Sequence, residues 1–240
     1  MEIANRGEQT IHPEFIEMIA LARVFMPKVQ ILVTTNTDML NHLESDPVLF
    51  RKWTEECMSA GVNGFLLDCY TPKRLQIITE AFQGIAETFF VEEGYSPNPY
   101  LYRGPDFKAI YIKDATPAPK ENVILHYHNQ GGNANVSDNA NALRMYPNVT
   151  LPKEPLKWMC VRPFREFAMW YDGSIPVCCD DWADQAIVGR YPEHSLPELW
   201  DKFDSYRLNL INKDRAAQQP CVLCTEKQGR RFGLEMGWFK

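Results

Sequence analysis

Two kinds of apolar pattern alternate along the first part of the chain. Phe15, Ile16, Ile19, Ala20 and Val24 keep the spacing of one helix face, with Pro13 placed for a first turn and Pro27 as a stop. Val29 to Thr35 reads VQILVTT, a β-branched run that predicts a strand buried on both faces. The alternation then repeats. A helix is expected from Asp46-Pro47 to Ser59, capped by Ser45 or Asp46. Gly61 and Gly64 bracket its exit, and FLLDC, from Phe65 to Cys69, predicts a second buried strand. Thr71-Pro72 starts a third helix running to about Ile85. Met1 to Ala4 reads as the end of a strand, and Asn5-Arg6-Gly7-Glu8 as a turn. Strand and helix in alternation predict a parallel α/β architecture, in which functional residues gather at the carboxyl ends of strands. Gly7, Glu8, Thr35, Asn36 and Asp68 fall at such ends.

From Glu92 the pattern loosens, punctuated by Pro97, Pro99, Pro105, Pro117 and Pro119. Short strands are expected at Ala109 to Ile112 and at Val123 to His126. The polar loop from His128 to Asn133 lacks the glycine spacing of a dinucleotide-binding turn, and Asn139 to Pro152 reads as a linker. Beyond it, Glu166–Tyr171 and Ile175–Cys179 flank Asp172-Gly173, a hairpin turn signal. Ser195 and Glu198 form a capping box that opens an amphipathic helix, LPELWDKFDSYRLNLI, with Leu199, Phe203, Tyr206 and Leu210 on one face. The expected division is residues 1–150 as an α/β domain and 151–240 as a smaller α+β domain.

Composition narrows the function. Hydrophobic residues are 45% and charged residues 23% of the 240, an ordinary balance for a folded chain. No apolar run reaches the length of a membrane helix, so no membrane partner is expected. A net charge of −6 gives no electrostatic case for nucleic acid, and the basic run Lys227–Arg231 is local. The first residues, MEIANRGEQT, have no signal-peptide shape, and the expected compartment is the reducing cytoplasm.

The cysteines sharpen this picture. Cys160, Cys178, Cys179, Cys221 and Cys224 are five of the seven. A sulfur-rich site selects zinc or an iron–sulfur cluster, and a C-x-x-C turn aims two thiolates at one centre. The candidate ligand set is Cys160, Cys178, Cys221 and Cys224. Cys179 is left out because neighbours in a strand point to opposite faces. Cys57 and Cys69 are isolated and read as core thiols. Zinc and iron–sulfur fit the four thiolates equally well.

The stretch from Cys160 to Cys224 resembles the SPASM or twitch domain, the auxiliary-cluster module of radical SAM enzymes. The likeness rests on Cys160, Gly173 and Cys178, on Cys-Val-Leu-Cys at 221–224, and on Gly189. It also rests on the text RPF, YDGSIPVCCDD, SLPELW and YRLNL. With no cysteine after Cys224 it resembles the single-cluster form, which implies one auxiliary-type [4Fe–4S] cluster held by four cysteines. The first 130 residues resemble part of the radical SAM partial barrel, through RGEQTIHPEFIEMI and LVTTNTDML. That resemblance implies an incomplete parallel β/α barrel. In it Gly7 and Glu8 contact the amino group of S-adenosylmethionine, Thr35 and Asn36 line the barrel mouth, and Asp68 faces ribose or substrate. The chain departs from the family in having no C-x-x-x-C-x-x-C triplet, the loop that holds the SAM-cleaving cluster. The expectation is therefore a relative of enzymes that modify peptides or small metabolites, truncated, divergent, or completed by a partner chain. It is not expected to be catalytic alone. Asp180, directly after Cys179, is the candidate base by analogy with some relatives. The alternative is a non-catalytic binding protein with one four-cysteine iron–sulfur or zinc site.

Overall fold

The computed structural model describes residues 1–3, 8–37, 46–91, 103–104, 106–114, 157, 159–181 and 183–224. The chain divides into two compact units, Met1–Pro117 and Ala118–Lys240.

The first unit is a five-stranded sheet with helices. Its strands are β1 (Glu2–Ile3), β2 (Leu32–Thr35), β3 (Gly64–Cys69), β4 (Glu87–Val91) and β5 (Ala109–Asp114). Every pairing is parallel, in the order β1-β2-β3-β5-β4. All carboxyl ends therefore lie along one edge. The helices α1 (Phe15–Phe25), α2 (Pro47–Ala60) and α3 (Pro72–Phe82) connect the strands. Asp46 caps α2 by accepting from the Val48 and Leu49 amides, and Thr71 caps α3 through the Arg74 amide, each ahead of a proline in the first turn. The core joins Phe15 and Ile19 of α1, Phe50 and Cys57 of α2, and Ile78 and Phe82 of α3 to Val33, Phe65, Leu67, Ile110 and Ile112 of the sheet. Cys57 and Cys69 are fully buried in it, as core thiols should be. A half-buried polar clamp spans the first two crossovers. Arg23 Nη2 donates to the Gly61 carbonyl and to Asn63 Oδ1, both at 2.6 Å, and Asn63 Oδ1 also accepts from the Ile31 amide at 2.9 Å.

The architecture is the parallel α/β arrangement that the pattern predicts, with three differences. The β2 strand begins at Leu32, not Val29. The α3 helix stops at Phe82, before Ile85, because the chain turns through Gly84 at φ 76°. Strand β4 was not expected at all, and β5 enters between β3 and β4, so chain order and sheet order part company at that edge.

The second unit contains α4 (Arg162–Arg165), an antiparallel pair β6 (Ser174–Pro176) and β7 (Ile187–Arg190), and helices α5 (Leu196–Asp201) and α6 (Asp204–Ile211). Ile175, Val177, Ala186, Leu199 and Phe203 form its core. The Asp172-Gly173 turn is present, but Glu166–Tyr171 is not a strand. The partner of β6 is β7, farther along the chain. Gly173 sits at φ 83°, and a Cβ there would lie 2.1 Å from the Tyr191 carbonyl oxygen, so both backbone and space require glycine. The capping box is formed, with Glu198 Oε2 2.8 Å from the Ser195 amide and Ser195 Oγ 3.4 Å from the Glu198 amide. The expected single helix is two, broken at Lys202-Phe203. The break still leaves Leu199, Phe203 and Leu210 buried and Tyr206 half-buried. The features expected at Val123–His126, His128–Asn133, Asn139–Pro152 and Lys227–Arg231 lie outside the described residues, as does Gly7.

Candidate functional site

Three separated pieces of the second unit deliver the cysteines. Cys160 precedes α4, Cys178 follows β6, and Cys221 opens a 3₁₀ turn, Cys221–Leu223, closed by Cys224. The Cys224 amide donates to the Cys221 carbonyl at 3.3 Å, which makes the C-x-x-C segment a single tight turn. One cavity is lined by Cys160, Cys178, Cys221 and Cys224 together. None of the seven cysteines is in a disulfide, so no disulfide competes for these sulfurs.

Spacing bears on what such a cavity holds. Tetrahedral zinc with Zn–S near 2.3 Å places its sulfurs about 3.8 Å apart. Among the described residues, one group of three metal-ligating atoms lies within 4.8 Å of one another, and it is Cys178, Cys179 and Asp180. No three of the four cavity cysteines meet that limit. The four thiols are therefore not gathered at the spacing of one zinc ion.

Polar groups among the cavity walls act on these thiols. Gln218 Nε2 donates to Cys221 Sγ at 3.6 Å and is itself held between Asn209 and the Tyr206 carbonyl. The Asp180 amide donates to Cys178 Sγ at 3.4 Å. Burial pushes the Cys160 thiol up and the Cys221 thiol up to about 11. Cys178 is pushed up as well, first by its hydrogen bond with Cys179 and then by burial. Any metal binding here must displace these protons.

Cys179 does not line the cavity. Its Sγ accepts from Arg162 Nη1 at 2.6 Å. The strand-alternation reason for separating it from Cys178 does not hold, because both follow β6 in a bend where their sulfurs come close to Asp180. Asp180 does line the cavity, with Oδ2 3.8 Å from Arg162 Nη1. Burial works against the Arg162 charge, but Cys179, Asp180, Glu166 and Cys178 outweigh it and hold the guanidinium protonated. The next carboxylate, Asp181, has a structural task. It is fully buried and accepts from the Ala186 amide at 2.7 Å and the Gln185 amide at 3.0 Å.

In the first unit, Glu8, Thr35 and Asn36 are brought together at the carboxyl edge of the sheet. Glu8 Oε2 accepts from Thr35 Oγ1 and from the Asn36 amide, both at 2.8 Å. Its Oε1 accepts from the Thr10 amide at 3.2 Å and from the Thr10 hydroxyl. An ionised carboxylate offers about four acceptor positions, and the chain itself fills all of them. Tyr70 reaches Asn36 Oδ1 at 3.4 Å, and Arg74 Nη1 donates to the Asn36 carbonyl at 3.1 Å. Asp68 lies near the end of β3, half-buried, with its Cα opposite Lys113. Arg162, Arg215, Gln218, Tyr70 and Arg74 were not identified from sequence. Arg162 had a signal in standing two residues after Cys160, and the others had none.

No protein-family model and no curated protein matches the chain. Solved structures do. BtrN, a radical SAM enzyme, in complex with AdoMet and 2-DOIA, matches with a TM-score of 0.62 and 16% identity, over 94% of this chain and 72% of that one. Selenomethionine BtrN in an open conformation matches with a TM-score of 0.55 and 13% identity, over 94% and 70%. At such low identity the likeness is one of fold: a mostly parallel α/β arrangement shared with a radical SAM enzyme.

Proposed function

We propose that this chain is a radical SAM-related protein in which Cys160, Cys178, Cys221 and Cys224 hold one auxiliary-type [4Fe–4S] cluster. The observation that carries this reading is the convergence of four thiols, none of them in a disulfide, from three separate segments on one cavity. The fold shared with BtrN supports the radical SAM side of it. When bound, such a cluster supplies one-electron chemistry, with four cysteines leaving no iron open to substrate. The chain's own residues orient and shield it. Gln218 and the Asp180 amide donate to ligand sulfurs, while Val177 and Leu210 limit water.

AdoMet, which BtrN binds, would meet Glu8, Thr35, Asn36 and Asp68 at the sheet edge. Engaging Glu8 there means exchanging one of its internal donors, which favours weak binding. No C-x-x-x-C-x-x-C triplet lies within these 240 residues, so reductive cleavage of AdoMet, acting on a peptide or small metabolite, would need a segment that supplies one, in a longer form of this chain or in a partner chain. Asp180 remains the candidate base, though its contact with Arg162 equally suits an anchoring role. A second reading has one observation in its favour. Cys178, Cys179 and Asp180 are compact enough for a small ion such as zinc, which would make the site structural.

Anaerobic reconstitution with iron and sulfide separates the readings. About four irons per chain, with a cubane spectrum, is the expected outcome. One tightly held zinc without bleachable absorbance would reject the cluster. Formation of 5′-deoxyadenosine by these 240 residues alone is expected to be absent, and robust turnover would reject the need for a further cluster-binding segment.

A further inference from the structure

Cys178 and Cys179 are neighbours in sequence, and the side chains of neighbours in an extended chain point to opposite faces. Here the backbone turns instead. The Asp181 amide donates to the Cys178 carbonyl at 3.0 Å, which closes a turn with Cys179 and Asp180 at its centre. The buried Asp181 carboxylate pins that turn by accepting from the Gln185 and Ala186 amides. Both sulfurs thereby fall within 4.8 Å of each other and of an Asp180 oxygen. Each is also held in place. Cys179 Sγ accepts from Arg162 Nη1 at 2.6 Å and lies 3.9 Å from Glu166 Oε2, while Cys178 Sγ accepts from the Asp180 amide at 3.4 Å. Both residues are half-exposed, and neither is in a disulfide.

We propose that Cys178 and Cys179 are a modification site, bridged by low-molecular-weight disulfides of the glutathione class and reopened by the matching thiol. The oxidant's S–S bond breaks as its two sulfurs are displaced in turn, and a Cys178–Cys179 S–S bond forms. The two cysteines supply the two electrons, and their protons leave on the two released thiols. The peptide bond between them is trans, which fixes their Cα atoms about 3.8 Å apart. Ordinary disulfides span about 4.4–6.8 Å between Cα atoms, so this bridge carries strain, and strained disulfides are the readily reduced ones. It is a reversible mark, not a structural staple. Its consequence deepens the cluster reading above and rests on it. Cys178 lines the cavity with the other three thiols and Cys179 does not, so the bridge removes one ligand from the cavity. A bound cluster, in turn, keeps Cys178 from bridging. Loading and bridging exclude each other.

The test exposes the full chain, before and after reconstitution with iron and sulfide, to oxidised glutathione. Each sample is then denatured in an alkylating agent, digested with trypsin and weighed by mass spectrometry. The tryptic peptide Glu166–Arg190 holds Cys178 and Cys179 as its only cysteines, and Ala216–Lys227 holds Cys221 and Cys224 as its only ones, so each pair is read separately. In the unloaded chain, Glu166–Arg190 is expected unalkylated and two hydrogens lighter than its reduced form, and reduced glutathione reverses this. In the loaded chain the bridged fraction falls on the order of tenfold or more, as competition for Cys178 requires. Cys179→Ser forms no bridge and takes up the wild-type iron content. Glu166–Arg190 that stays alkylated or carries only glutathione, with or without a bridge in Ala216–Lys227, overturns the inference and leaves the cluster reading intact. A bridge that reduced glutathione does not open overturns it too. Equal bridging in loaded and unloaded chains overturns the exclusion, because the metal then does not hold Cys178. A wild type that bridges but takes up no iron rejects the cluster reading, and the exclusion with it, while the modification site stands.

Discussion

The carboxyl edge of the sheet and the cysteine cavity both gather polar side chains from distant parts of the chain, but they use them in opposite ways. At the edge, Glu8 turns both oxygens onto Thr10, Thr35 and Asn36, and the cluster is complete without a guest. In the cavity, four thiols converge without a disulfide, and Cys160, Cys178 and Cys221 are pushed toward their neutral forms by burial or by a neighbouring thiol. A group whose hydrogen-bonding capacity is spent within the chain is holding the fold. Thiols that converge on one cavity without a disulfide are what the proposed cluster would need. The same residue types at strand ends would look equally functional in sequence, and only the partners tell them apart.

The largest effect is expected where the contrast is sharpest. Cys178→Ala or Cys221→Ala removes one of four ligands and lowers iron retention on the order of a hundredfold or more, measured as iron per chain after desalting. Far-UV circular dichroism reports whether the chain stays folded in the same samples. Loading also depends on pH, with a definite sign. The Cys221 thiol, raised from 9.0 to about 11, must lose its proton to bind, so apparent metal affinity climbs as pH rises toward that value. Without metal the sign reverses. The native chain keeps a proton that the unfolded chain sheds, so this thiol's contribution to stability is present below pH 9 and is lost as pH rises through 11. Affinity that is flat with pH would mean these thiols are not the ligands.

How much of this could be read in advance differs between the two regions. The sheet was legible because its strands are buried runs and its helices carry capped amphipathic patterns, as at Asp46 and Thr71. Strand β4 was missed because ETFFV, at 87–91, stands where the pattern was already giving way to loops. The insertion of β5 beside β3 is a long-range pairing that no local pattern encodes. The hairpin turn at Gly173 was legible, but not its partner, because β7 pairs with β6 across the intervening loop. In the cavity, cysteine spacing picked out all four lining thiols. Arg215 was invisible, since KDRAAQ reads as a solvated turn and only the tertiary fold buries the guanidinium.

A smaller effect is expected at the sheet edge. Glu8→Gln keeps the size but turns one acceptor oxygen into an amide nitrogen facing the Thr10 or Thr35–Asn36 donors. Thr10 and Thr35 are nearly fully buried, so a donor left unmatched there costs about 1–3 kcal/mol, read as a shift in the urea midpoint at unchanged m-value. If Glu8 were reserved for the amine of AdoMet instead, Glu8→Gln would leave stability alone and weaken only AdoMet binding in calorimetry. That outcome would erase the contrast between a closed edge and an open cavity.

The smallest effect is expected at Cys179. Its sulfur accepts from Arg162 but stands off the cavity wall, and Glu166 and Asp180 remain to hold Arg162 when the thiol is removed. Cys179→Ala is therefore expected to keep the full iron content and to change stability by no more than about 1 kcal/mol, the scale of a single lost hydrogen bond. The compact trio of Cys178, Cys179 and Asp180 makes this variant decisive despite its small expected effect. A protein that loses its metal on Cys179→Ala but keeps it on Cys160→Ala has its centre in that bend. Iron retained in the first variant and lost in the second places it among the four converging cysteines.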